Sequence, residues 1–68
     1  MDKKLEEEMR QTVRAYLGFG RLIQHYQRES GKQITPDEVV LESVRDVLEE
    51  KYGTRDFLIT KEDEPEKY

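Results

Sequence analysis

The chain has 68 residues, of which 34% are hydrophobic and 41% charged, with a formal net charge of −4. An average globular chain runs roughly 25% charged and 45–50% apolar, so this composition excludes a large enclosed core and suits helices packed along stripes. It leaves no run of the roughly 18 apolar residues that a membrane span needs, and the acidic balance argues against a general nucleic-acid binder.

With no cysteine and a single histidine, neither disulfides nor a structural metal can staple so small a scaffold, and pairing with another chain is the remaining route to stability. Absence of cysteine fits a reducing compartment. The opening stretch, MDKKLEEEM, is charged and lacks an apolar signal core. A cytoplasmic location is the expectation.

The first predicted element is a long amphipathic helix over about 3–29. Asp2 can cap it, and Glu6, Glu7 and Glu8 lie near its first turns, where negative charge suits the helix dipole. Leu5, Met9, Val13, Tyr16, Phe19, Ile23 and Tyr26 recur at steps of 3 and 4, the spacing of a heptad-like seam. Leu17 and Leu22 widen this stripe. Gly18 and Gly20 interrupt it, each costing about 1 kcal/mol relative to alanine in a helix interior. Either the rod runs through, with Gly20 near the seam admitting a close neighbour, or it breaks at Gly18–Gly20 and the fold becomes a three-helix arrangement.

Arg28 to Lys32 reads as a helix end, with Gly31 as its left-handed cap. Thr35-Pro36-Asp37-Glu38 then predicts a new start: Thr35 as N-cap, Pro36 in the first helical position and Glu38 completing a capping box. Ile34 is placed to pack on Val39 or Val40 as a hydrophobic staple. The second helix is expected over about 36–52, with a stripe of Val40, Val44, Val47 and Lys51 broadened by Leu41, Leu48 and Tyr52, and Gly53 ending it. Asp56 to Thr60 is short, apolar and β-prone, an extended arm to cover the hairpin or add to a partner. Residues 61–68, KEDEPEKY, read as a disordered acidic tail, leaving 1–60 as a single helical domain.

Two helices joined by a short loop fold back antiparallel. The predicted class is therefore all-α: an antiparallel helical hairpin with an extended C-terminal arm, two copies of which would dimerise into a four-helix bundle. The self-association seam is assigned to Leu5, Met9, Val13, Tyr16, Gly20, Ile23, Tyr26, Val40, Val44 and Val47.

Two features bear on function. Arg10, Arg14, Arg21, His25 and Arg28 fall on one helical face, with Gly18 in the gap of the row. They form either a docking strip for an acidic partner or a nucleic-acid backbone, or a solvated face paired to Glu42, Asp46, Glu49 and Glu50 of the second helix. Phe19, flanked by two glycines, is either a core residue or an exposed anchor of the kind that dominates interface energies. Arg10, Arg14, Phe19, Arg21, His25 and Arg28 are thus the candidate partner-binding set. His25 alone cannot make a metal site, and no carboxylate pair, activated serine or phosphate-cradling loop is recognisable. No catalytic residue, metal or cofactor is expected. The expected function is a non-enzymatic protein-interaction module (a regulator, adaptor or inhibitor) that self-associates and docks on another protein. A nucleic-acid-associated accessory protein and a structural assembly subunit are the alternatives.

Overall fold

The computed structural model describes residues 2–66. Two helices, α1 (Lys3–Glu29) and α2 (Asp37–Tyr52), pack against each other, and a 3-10 turn (Lys61–Asp63) follows. Among the described residues there is no strand. The shape is elongated, 43 × 21 × 14 Å.

The first helix runs unbroken through Gly18 and Gly20, so the three-helix alternative does not arise. Gly20 explains why its helical cost is tolerated. A β-carbon built there would lie 2.6 Å from Val40 Cγ1, far inside the 3.5–4.0 Å optimum for carbon contacts. Only glycine lets α1 and α2 approach this closely.

Both helix ends follow local chemistry. Asp2 accepts a hydrogen bond from the Lys4 N–H at 3.3 Å. At the other end Lys32 N–H donates to Gln27 O and Gly31 N–H to Arg28 O, with Gly31 at φ 70°. This is a complete Schellman closure. Gly53, at φ 76°, ends α2 in the same left-handed conformation, its N–H donating to Glu49 O.

The start of α2 differs from expectation. Pro36 is the N-cap and no side chain caps the helix. The expected Thr35–Glu38 capping box does not form, because Thr35 is committed elsewhere. Its hydroxyl accepts from Gln27 Nε2 at 2.9 Å and its N–H donates to Gln27 Oε1 at 2.7 Å. Beside it, buried Gln24 donates to Thr35 O and Asp37 Oδ1 and accepts from Arg21. Two glutamines of α1 thus hold the loop and set where α2 begins. Of the residues expected to form the staple, Ile34 and Val39 stay substantially exposed, whereas Val40 is buried in the core row.

The core is a single row between the helices. Met9, Val13, Leu17, Val40, Val44, Leu48 and Phe57 are buried. Phe57 belongs to the extended arm that follows Gly53. Arg45 on α2 fixes this arm by donating to the carbonyls of Arg55 and Phe57, both at 3.0 Å. At the open end of the hairpin, the Tyr52 hydroxyl lies 2.9 Å from that of Thr12.

Within the segment read as an acidic tail, residues 61–64 lie against α1 through Asp63 and Glu64, and Lys67 and Tyr68 lie outside the described residues. Thr60 N–H donates to Asp63 Oδ2 and Asp63 N–H to Thr60 O, a reciprocal cap that turns the chain. Asp63 enters the hairpin with no side-chain exposure.

Candidate functional site

The C-terminal segment covers only one side of the helix pair, and this asymmetry defines the two surfaces. On the covered side lies the arginine row. Arg10 donates to both oxygens of Asp63 at 3.0 Å, and Arg14 Nε reaches the same carboxylate at 3.3 Å. The Arg10 guanidinium also sits 5.0 Å from the centre of the Phe57 ring, a favourable cation–π distance. Arg21 makes a two-pronged pair with Glu64, at 2.9 and 2.6 Å, and a further bond of 2.8 Å to Asp37.

The electrostatics follow from these contacts. Burial pushes the Asp63 carboxyl up, but the Thr60 N–H and the Arg10 and Arg14 guanidiniums outweigh it and hold the group below the ordinary aspartate range. Asp37 is likewise lowered, by its bond from Gln24 and the charge and hydrogen bond of Arg21. Arg21 is raised, chiefly by its bond to Glu64, and so stays a cation throughout.

The row was expected either to await a partner or to pair with Glu42, Asp46, Glu49 and Glu50. Three of its five members, Arg10, Arg14 and Arg21, are held mainly by the C-terminal segment, with Asp37 the α2 carboxylate among their partners. The acids Glu42, Asp46 and Glu49 are matched by Arg55. Arg28 and His25 border a small polar depression with Arg21, Gln24, Glu64 and Pro65.

The uncovered side is different in kind. Between α1 and α2 runs an open groove of about 280 Å³. Tyr16, Phe19, Gly20 and Ile23 form one wall, Val39, Val40, Ser43, Val44 and Val47 the other, and Thr35 closes one end. No carboxylate, histidine, lysine or arginine lines it. Phe19 is 62% exposed, Tyr26 64% and Tyr16 45%.

The flank of α1 beyond the groove continues the pattern. Helical geometry puts Gln11, Thr12, Ala15, Tyr16, Phe19, Leu22, Ile23 and Tyr26 on the arc away from the arginine row. Eight positions over more than four turns carry no charge, in a chain with 41% charged residues. A solvated helix face of this composition would be charged. An apolar, charge-free patch that includes exposed aromatics is what interface centres look like.

The predicted seam therefore divides. Met9, Val13, Val40 and Val44 are buried within the hairpin, with Gly20 closed against Val40. Leu5 and Val47 are half-buried, whereas Tyr16, Ile23 and Tyr26 face outward with Phe19. Sequence periodicity placed all of these on one stripe and did not separate its two edges. It also missed Val39, Ser43 and Thr35 as groove residues, and Asp63 and Glu64 as partners of the arginines.

No protein-family model, curated protein or solved structure matches the chain. Among the described residues no cluster of three or more histidine or acidic side chains is placed to hold a metal ion, and no helix is long and apolar enough to cross a membrane.

Proposed function

We propose that this chain is a non-enzymatic protein-interaction module that acts by docking the open face of its hairpin onto another protein surface. The charge-free aromatic arc of α1 beside the apolar groove carries this reading. Phe19 is its central anchor, and Tyr16, Ile23, Tyr26 and Val39 surround it. A pair of helices is completed most simply by a second pair, so docking of a helical partner here yields a four-helix bundle. The arginine row supplies no comparable support for an acidic or nucleic-acid partner, because Arg10, Arg14 and Arg21 already hold internal carboxylates.

The test is affinity capture from lysate of the native host, comparing the wild type with Phe19→Ala by quantitative mass spectrometry. Phe19 makes none of the buried core, so both chains should show the same helix content by circular dichroism at a temperature and concentration where each is fully folded, and capture is done under those conditions. Proteins that depend on the docking face should be depleted from the variant's captured set. Equal recovery by both would refute the proposal.

A further inference from the structure

We infer that the surface that covers the open face is a second copy of this chain, paired antiparallel about a two-fold axis that runs across the helices near Phe19. This rests on the docking reading above and names its occupant.

Area is the first support. The exposed portions of Tyr16, Phe19, Tyr26, Ile23 and Val39 amount to on the order of 400–550 Å², taking about 150–250 Å² for a whole aromatic side chain. With the flanking Thr12, Ala15 and Ser43, the face approaches the roughly 800 Å² per partner of a standard stable interface. The patch also holds both parts a self-complementary contact needs. Phe19 projects from the rim, and the groove beside it is open and apolar, so a two-fold axis near Phe19 brings the two rings together at the facing mouths of the two grooves.

Charge selects the orientation. Exposed Glu8 and Glu50 flank the face at the end where Tyr52 meets Glu8 O. The loop end is close to balanced, with exposed Arg28 and Lys32 against Glu29, Asp37 and Glu38. An axis running along the helices brings the two loop ends together and the four acids Glu8 and Glu50 together, a repulsive arrangement. An axis across the helices stacks α1 on the partner's α1 in the opposite direction. The four acids are then kept apart, and each Glu8–Glu50 pair meets the partner's more nearly balanced loop end, which carries Arg28 and Lys32. In that register Thr12 and Tyr26, each seven residues from Phe19 and about 10 Å from the axis by helical rise, face each other across the pair.

The chain has no cysteine, so single cysteines are unique probes. Light scattering and sedimentation of the wild type should give a dimer, and Phe19→Asp should weaken pairing by about 30-fold or more, the scale of a central anchor. Tyr26→Glu serves the same purpose should Phe19→Asp fail to fold. Thr12→Cys mixed with Tyr26→Cys should cross-link efficiently with a short bifunctional maleimide. Thr12→Cys mixed with Val47→Cys should not.

The outcomes separate. A dimer that cross-links through 12 and 47 but not 12 and 26 overturns the orientation. A monomer at all concentrations overturns the second copy as occupant, and the docking reading then stands only if Phe19→Ala still loses a captured protein. A monomer whose captured set is indifferent to Phe19 overturns both.

Discussion

Gly20→Ala is the sharpest test of how α1 and α2 fit. Two effects oppose each other. Alanine improves helix propensity by about 1 kcal/mol over glycine. Against this, the new methyl would sit 2.6 Å from Val40 Cγ1, so about 1 Å of relief is needed to reach ordinary carbon contact. Val40 cannot supply it cheaply. It is β-branched within a helix, where one χ1 rotamer dominates, and it is buried in the core row. Relief must come from moving α2, an overpacking cost of about 1–3 kcal/mol. The expected net effect is a destabilisation of about 1 kcal/mol, with a range of about 0–2 from the same terms. Urea unfolding followed by circular dichroism at fixed chain concentration measures it. Val40→Ala supplies the decisive partner. Alone it destabilises, by lost burial and the cavity left behind. Combined with Gly20→Ala it gives the new methyl a place, so the double variant should be more stable than the sum of the singles by about 1 kcal/mol or more. A Gly20→Ala chain stabilised by the full propensity gain, and additive with Val40→Ala, would refute a close helix approach at this point.

Three further outcomes follow from the polar contacts. Asp63→Asn should destabilise the chain by about 1–3 kcal/mol, below the full cost of breaking a buried pair because Arg10 and Arg14 retain access to water; hydrogen exchange should show earlier opening at residues 60–64 than in α1. The Asp63 carboxyl is held below its ordinary value, so its contribution is present above about pH 4 and is lost as pH falls through the folded value; stability from this group should be flat between pH 5 and 8, and the stability difference between wild type and Asp63→Asn should shrink as pH falls below about 4, whereas a difference that grows on acidification would show the sign to be wrong. Gln24→Ala removes the donor to Thr35 O and Asp37 and the acceptor of Arg21; it should cost about 1–2 kcal/mol in thermal or urea unfolding, and a neutral result would show that the loop is held without it.

The sequence made the helices legible because their signals are local. Asp2, Gly31 and Gly53 act within one turn of where they stand, and the 3–4 spacing of apolar residues is enough to identify an amphipathic rod. Thr35 was misassigned for the converse reason. Its capping role requires only neighbours in sequence, but Gln27, eight residues back, competes for it once the hairpin closes. The same limit hid the C-terminal segment. Composition shows KEDEP as a solvated acidic run, and nothing local says that Asp63 reaches Arg10 across 53 positions of chain. Seven apolar positions on one stripe likewise gave no means of telling core from open face. That distinction depends on which edge of the stripe the arm covers, and the arm is placed by Arg45 and Phe57.

The placement of the arm also decides which surface has a reason to bind. The arginine side is largely balanced in water: Arg10, Arg14 and Arg21 hold carboxylates of the same chain, and added exposed ion pairs are worth only about 0–1 kcal/mol each. The aromatic side is not balanced. Its exposed aromatic and aliphatic side chains stay in water unless another surface covers them. Association has to offset lost freedom, and a partner that contributes a like apolar area of its own is best able to do so. A second hairpin does so by symmetry. Since so short a core row gives a lone hairpin little reserve, stability and pairing are then coupled, and the face that binds also supplies part of what keeps the chain folded.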